Sequence, residues 1–575
     1  MPASAADLSP ARWPAGEEQR LLAAQDVNRT EAGHASGRNG AVTVAYNGYA
    51  ARAGLEALKQ GGNAVDAAMT AAMTQVALTA GSPVSYFGIM SLVYYEAKTG
   101  RTHTMNAEWN TVTAETDPAT IPGGYGFNTP EERRGTGAPN GRTVLVGGFM
   151  KGVEAAHSRF GRLPFESLFA PAIRVAEKGM PVTASLAEQM AFRRDDLARL
   201  PETRATFLKP DGTPYVRGDL FRQPALARTL RRISIAGSDY MYRGQWGKQL
   251  VDAVRADGGK LTAEDLAAYE VLWADPLVAE IGGGYTVQTN PWPNSGGVAL
   301  IEAQNLATAA GLRRMGHWSE SSKSLRTALD ISYQGFISFL PAKLVETIYP
   351  GMDFSPAARV TQAHADELWR RMQAGARLAR WVPAEMKPRH SDDVVAIDSE
   401  GNIVAITHSI NTIFWGKTAI TVGGITVGDP ASFQQAAVAL AGPGARLPAP
   451  TETGILFREG KPVLGFASMG AGLHHRTFQG LMNVTQFGMT VRQAIDAPDF
   501  FFPTSLATGE LIVAVPEDRF PKAVLEGTGL KYREWPTEEA RLSGEGKWVG
   551  ISRDPVTGVL NAASHNRNNS DALAF

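Results

Sequence analysis

Ser391 stands in the run Arg389-His390-Ser391-Asp392-Asp393, directly ahead of the apolar run VVAID at 394–398; a second such run, IVAITHSIN, occupies 403–411. A hydroxyl between a loop and a buried strand has two readings. It is an edge serine with no chemical task, or a nucleophile that becomes a chain terminus once the 390–391 peptide bond is cut. The second reading needs no separate histidine base. The freed α-amine, with an ordinary pKa near ~8, can take the hydroxyl proton itself. Asp392 and Asp393 would raise the pKa of that amine, unless both face solvent on a turn and do little.

The elements around Ser391 follow from periodicity. AVTVAYN (41–47) reads as a strand, and ARAGLEALKQ as a helix with Ala51, Leu55 and Leu58 on one face. Gly61-Gly62-Asn63 stops it, and the Ala-rich run from Ala64 restarts as a buried helix. IMSLVYYEA (89–97) and RTHTMNAEW pair as a hairpin around a Lys-Thr-Gly turn, and GILF and KPVLGFAS pair around Arg458-Glu459-Gly460. The stretch 150–380 is mostly helical, 438–456 is loop-like, and the last strands fall near 511–514, 547–552 and 558–562. Strand-rich ends around a helical middle predict an α+β fold, a four-layer αββα sandwich.

Composition sets limits. The 575 residues are 44% apolar and 20% charged with net charge −1, so there is no electrostatic case for nucleic acid or an anionic membrane. The absence of cysteine excludes disulfides, thiol nucleophiles and Cys-ligated metals. No His/Asp/Glu spacing argues for a metal, and no cofactor is expected. The N-terminal stretch has no basic region followed by an apolar core, and no run approaches 18 uncharged apolar residues. A cytoplasmic location is the expectation.

Several blocks, in order, resemble the γ-glutamyltransferase family: residues 50–73, 143–182, 261–277, 285–300, 460–472, 483–500 and 554–568. The resemblance implies one N-terminal nucleophile hydrolase domain built from two segments, 39–390 and 391–575, cut at His390–Ser391 and held together as a heterodimer. Residues 1–38 then form a loosely ordered extension. In that family the nucleophile precedes a hydrophobic-hydrophobic-Asp-x-x-Gly-Asn segment. Here Ile397-Asp398-Ser399-Glu400-Gly401-Asn402 supplies it and puts Ser391, a serine in place of the family's threonine, on the nucleophile. The lost β-methyl leaves χ1 less restricted. Ser409 and Asn411 match the family's Thr-x-Asn pair. Positions two apart share a strand face, so His408 between them reads as structural. Gly470 and Ala471 fall on the oxyanion hole, where backbone N–H groups stabilise a developing negative oxygen. Gly296 and Gly297 would form a tight turn near the site, and His474 or His475 would line the pocket.

The glutamate contacts of the family are missing. The position of its carboxylate-binding arginine is Glu108, its ammonium-binding Asp falls near Pro430-Ala431-Ser432-Phe433, and its Ser-Ser pair falls at Pro448-Ala449. Trp109, Trp292, Phe414 and Trp415 would instead shape a more apolar pocket, with Glu108, Trp109, Trp415 and His474 as substrate-side candidates. The expected function is therefore self-processing hydrolysis of an amide carrying a non-glutamyl acyl group on a small molecule. The alternatives are hydrolysis of a C–C bond next to a carbonyl in a secondary-metabolite pathway, or an unprocessed, non-catalytic homologue.

Overall fold

The structure is a computed structural model that describes residues 6–27, 31, 33–123, 134–340, 342–376, 378, 391–432, 434–470, 472–501, 512–535, 546–567 and 569–575. Two seven-stranded antiparallel sheets stack face to face. In chain order their strands are β1 (His34–Gly37), β2 (Gly40–Val44), β3 (Ile89–Glu96), β4 (Arg101–Ala107), β5 (Leu272–Ala274), β6 (Leu277–Glu280), β7 (Tyr285–Thr289), β8 (Ser391–Asp398), β9 (Ile403–Ser409), β10 (Glu452–Arg458), β11 (Lys461–Met469), β12 (Lys547–Arg553), β13 (Leu560–Ala563) and β14 (Asp571–Ala574). One sheet runs β14-β2-β8-β9-β3-β4-β5, the other β1-β13-β12-β11-β10-β7-β6.

Alternation along the strands makes three apolar layers. Val395, Ile397, Ile403 and Ala405 meet Ile455, Ala467, Val549 and Ile551 between the sheets. Val394, Ala396, Val404 and Ile406 point outward onto the helices α1 (Gly48–Lys59), α2 (Ala64–Leu78) and α3 (Phe149–Phe160). On the far side Leu456, Leu464 and Phe466 pack on α4 (Ser295–Ala310) and α5 (Leu473–Thr485). This is the αββα sandwich. Every residue of α2 is buried, and its small side chains let α1 come close. A Cβ on Gly54 would stand 2.8 Å from Ala67 O.

The segment ending in Gly401-Asn402 ties the hairpin of β8 and β9 to α2. Asp398 Oδ1 accepts the Glu400 and Asn402 N–H groups, each at 3.0 Å. Its Oδ2 accepts the Asn402 amide at 2.8 Å and the Ala64 N–H, at the helix start, at 3.0 Å. One carboxylate thus closes the turn and satisfies an orphan donor of the helix, which fixes β8 along its length.

Three expectations change. The N-terminal extension is folded where described, with a helix at Glu17–Ala23, and Trp13 buried against Tyr49. The 438–456 stretch is not all loop, because a helix spans Gln435–Ala441 and β10 begins at Glu452. Gly296 and Gly297 open α4 instead of forming a separate turn. Asn294 caps them by accepting the Gly297 N–H at 2.9 Å, and a Cβ on Gly296 would meet Thr451 O at 2.2 Å.

Candidate active site

Ser391 is the first residue of β8 and lies directly opposite Ser409 on β9, which in turn lies opposite Ile89 on β3. Met90 pairs with Ala107, so Glu108 stands one step on, beside Ile89. Opposed residues of antiparallel strands share a face. Ser391, Ser409, Ile89 and Glu108 therefore form one transverse row, on the face that looks toward the second sheet. Ser391 Oγ donates to Ser409 Oγ at 3.1 Å, and the Asn411 N–H donates to the same oxygen at 2.8 Å. Asn411 takes φ +47°, a left-handed turn that folds its amide back onto Ser409.

Gly470 follows β11 with φ +88°, a region that favours glycine, and its carbonyl accepts the Leu473 N–H at 3.2 Å at the entrance to α5. Thr407 Oγ1 lies 3.3 Å from Ser468 O and so bridges the nucleophile-side sheet to the strand that carries this turn. Ala471 and His390 lie outside the described residues. His408 points the other way, as alternation requires. Its Nε2 is 2.8 Å from Gln75 Oε1, and burial lowers its pKa to about 3.

Asp392 and Asp393 are fully buried, which overturns the picture of two solvated turn residues. Asp392 Oδ1 accepts the Tyr46 and Asp393 N–H groups at 3.1 and 2.9 Å, and Asp393 Oδ1 accepts Thr407 Oγ1–H at 2.7 Å. Burial pushes both carboxyls well above the usual carboxylate range. Lys547 on β12 lies across the sheet interface on the Asp393 side, and burial draws its ammonium down to about 7 while the charges of both carboxyls oppose that fall.

Glu108 is buried and is not a free wall of negative charge. Its Oε1 accepts Thr451 Oγ1–H at 2.9 Å and the Asn294 amide at 3.1 Å, and its Oε2 accepts the Asn106 amide at 2.9 Å. Burial raises its pKa to about 7. Beside it, Trp109 sits in an apolar cluster with Ile89, Ile121, Leu145, Ala431, Val438, Leu447 and Ala449. Trp415 belongs to the core, not to a pocket wall. It packs on Phe207 at 5.3 Å and donates its indole N–H to Ala80 O. Trp292 is exposed, and Phe414 packs against the edge of the helical core. His474 lies on the outer face of the second sheet, its Nδ1 2.7 Å from Glu452 Oε1 and its ring against Gly335. His475 is buried beside Ser332. Neither histidine joins the Ser391 row.

Three residues escaped the sequence reading. No carboxylate stands at 430–432, but Asp429 immediately precedes them. It accepts Thr412 Oγ1–H at 2.9 Å and the Thr418 N–H at 2.8 Å, and so braces the turn after Asn411; burial raises its pKa to about 6. Arg446 clamps the loop before Ala449 onto Asn106 O at 2.7 Å and Asn110 Oδ1 at 2.7 Å. Asp429 was within reach of a wider sequence window. Arg446 and Lys547 carried no local signal.

The stacked antiparallel sheets between two helical layers, with a hydroxyl at the head of a central strand, define the N-terminal nucleophile hydrolase fold. The chain belongs to the gamma-glutamyltranspeptidase family, whose model matches residues 50–575. It is 26% identical over 559 residues to the glutathione hydrolase proenzyme of Bacillus subtilis (strain 168), covering 94% of this chain and 92% of that protein. It is 29% identical over 509 residues to the acylase ACY 1 proenzyme of Pseudomonas sp. (strain SE83), covering 84% and 86%. The crystal structure of cephalosporin acylase from Bacillus halodurans superposes with TM-score 0.76 at 23% identity, over 94% of this chain and 97% of that one.

Proposed function

We propose that this protein is a self-processing amide hydrolase that uses Ser391 as its nucleophile and takes an apolar, non-glutamyl acyl group from a small molecule. Ser391 Oγ attacks the residue 390 carbonyl, the C–N bond breaks, and the hydroxyl proton goes to the departing nitrogen. That step frees the α-amine and leaves residue 390 as an ester on Oγ; water then hydrolyses the ester, releasing the residue 390 carboxylate and regenerating the Ser391 hydroxyl. In each turnover that amine takes the Ser391 hydroxyl proton, an acyl ester forms on Oγ, and water releases the acid. Ser409 fixes the direction of Oγ, and the 470–471 backbone N–H groups meet the oxyanion.

The observation that carries the substrate reading is the apolar cluster. Ala431 and Ala449 occupy places where the family resemblance puts glutamate contacts, Trp109 and Leu447 stand next to such places, and Ile89 joins the cluster to Ser409. The carboxyl at 108 is already held by three side chains, so it has no donor to offer a substrate carboxylate. The acylase named among the relatives supports the same class of reaction. The two fragments would stay together, because β8 and β9 lie between β2 and β3, and β10 to β13 lie between β1 and β7. Separation would open both sheets.

Intact-mass spectrometry of purified protein and a comparison of p-nitroanilides test this reading. The expected outcome is a fragment beginning Ser-Asp-Asp, absent in Ser391→Ala, with phenylacetyl or alkanoyl anilides cleaved at least about a hundredfold faster than the γ-glutamyl anilide. That ratio corresponds to roughly 3 kcal/mol, the scale of a lost charged pair. An intact, inactive chain would favour the non-catalytic homologue.

A further inference from the structure

Asp392, Asp393 and Lys547 form a buried ionisable cluster directly behind Ser391. Lys547 Nζ donates to Ala45 O at 2.9 Å, Arg567 O at 3.3 Å and Ser570 Oγ at 3.4 Å, and stands 3.7 Å from the Tyr46 ring centroid. Each aspartate has one oxygen held, as described above. The second oxygen, Oδ2 of both, is buried with no hydrogen-bond partner among the described residues. A buried carboxylate oxygen without a donor is costly. The cluster thus sets two carboxyls against one amine, with burial opposing charge on all three, and has acceptor capacity to spare.

We propose that this cluster is the counter-ion site for the α-ammonium that cleavage creates at Ser391, so that the intact chain lacks one positive charge there and processing supplies it. The proposal rests on the Ser391 reading above. The geometry is short: at roughly 3.3 Å per residue, Asp392 is one step and Asp393 about 7 Å along the strand from the new terminus. Burial disfavours charge on each of these groups alone, so in an interior of low effective dielectric an ammonium and a carboxylate at that range hold one another in their charged forms. Lys547 also pairs with Met469, next to the Gly470 turn, and a Cβ on Gly546 would meet Gly472 C at 2.6 Å. The cation that completes the cluster therefore packs behind the oxyanion turn as well. The other ionisable groups facing this region are His408 on β9, Tyr46 after β2, and His565 and Arg567 ahead of β14. His408 and His565 are kept neutral by burial, and burial raises the Tyr46 phenol as well.

The consequence is a terminal amine that loses its proton only at alkaline pH, so the enzyme reaches full activity above neutrality. Competitive trace acetylation with acetic anhydride, read by mass spectrometry on the N-terminal peptide of the 391–575 fragment, measures this midpoint without any substrate. In mature wild type it is expected above the ordinary ~8 of an α-amine. In Asp393→Asn and Asp392→Asn it should fall by about one pH unit, that is, about tenfold more free base at a given pH. A wild-type midpoint at or below the ordinary value overturns the assignment, even if neither variant folds. So does a midpoint unchanged in a variant whose melting curve matches wild type. A wild-type chain never cut at 390–391 sinks the functional reading itself; a cut chain with an unshifted amine sinks only the counter-ion site.

Discussion

Ser409→Ala is the most direct probe of the row across the sheet. The change removes one oxygen that serves two hydrogen bonds, from Ser391 Oγ at 3.1 Å and from the Asn411 N–H at 2.8 Å. Each such bond contributes about 0.5–1.5 kcal/mol net, so roughly 1–3 kcal/mol of positioning is lost. The cost falls on the step that needs Oγ aimed at a carbonyl. At about 1.4 kcal/mol per tenfold, self-cleavage should slow about 5- to 150-fold. Asn411, at φ +47°, loses the acceptor that holds its strained turn and should add to the loss. The assay is the time course of the 391–575 fragment after rapid expression and purification, followed by intact mass, with the melting temperature as a control for folding. Ser409→Thr keeps the hydroxyl and should restore the rate. A Ser409→Ala chain that matures at the wild-type rate would refute the reasoning, since the oxygen would then aim nothing.

His408 has a folded pKa far below its ordinary value because burial disfavours its charge. The unfolded chain therefore binds more protons between about pH 3 and 6.5, and stability rises with pH across that window, by roughly 1.4 kcal/mol per pH unit for this group. Melts from pH 4 to 7 should show a shallower dependence in His408→Gln. Asp398→Ala breaks the joint between the hairpin turn and α2, freeing the buried Ala64 N–H. It should cost about 2–4 kcal/mol in denaturant titration and reduce maturation in proportion to the folded fraction. Thr451→Val removes the hydroxyl that donates to Glu108 Oε1 and accepts from the Asn294 amide. A loss of about 1–3 kcal/mol in the same measurement is expected, with the Ser391 fragment still formed.

Much of the fold could be read locally. The apolar runs at 394–398 and 403–411 and the helical run from Ala64 carry their own pattern, and strands and a helix form there. Asp398 announced its turn through the Gly401-Asn402 that follows it, since a left-handed glycine at φ +86° must close that hairpin. The chemistry of the site was less local. Asp392 and Asp393 look like solvated charges in the chain, and only the packing of β8 between β2 and β9 buries them. Glu108 reads as a repelling acid until Thr451 and Asn294, which follow it by 343 and 186 residues, reach its carboxyl. Trp109 and Trp415 are the same residue type with the same apparent promise, yet one lies beside the Ser391 row and the other in the core. The amino-acid sequence by itself determined which segments become strands and helices and where a hydroxyl heads a strand. Tertiary structure alone decided which charges are desolvated and which partners satisfy them, because burial and cross-strand register join residues hundreds of positions apart, and no local pattern encodes that neighbourhood.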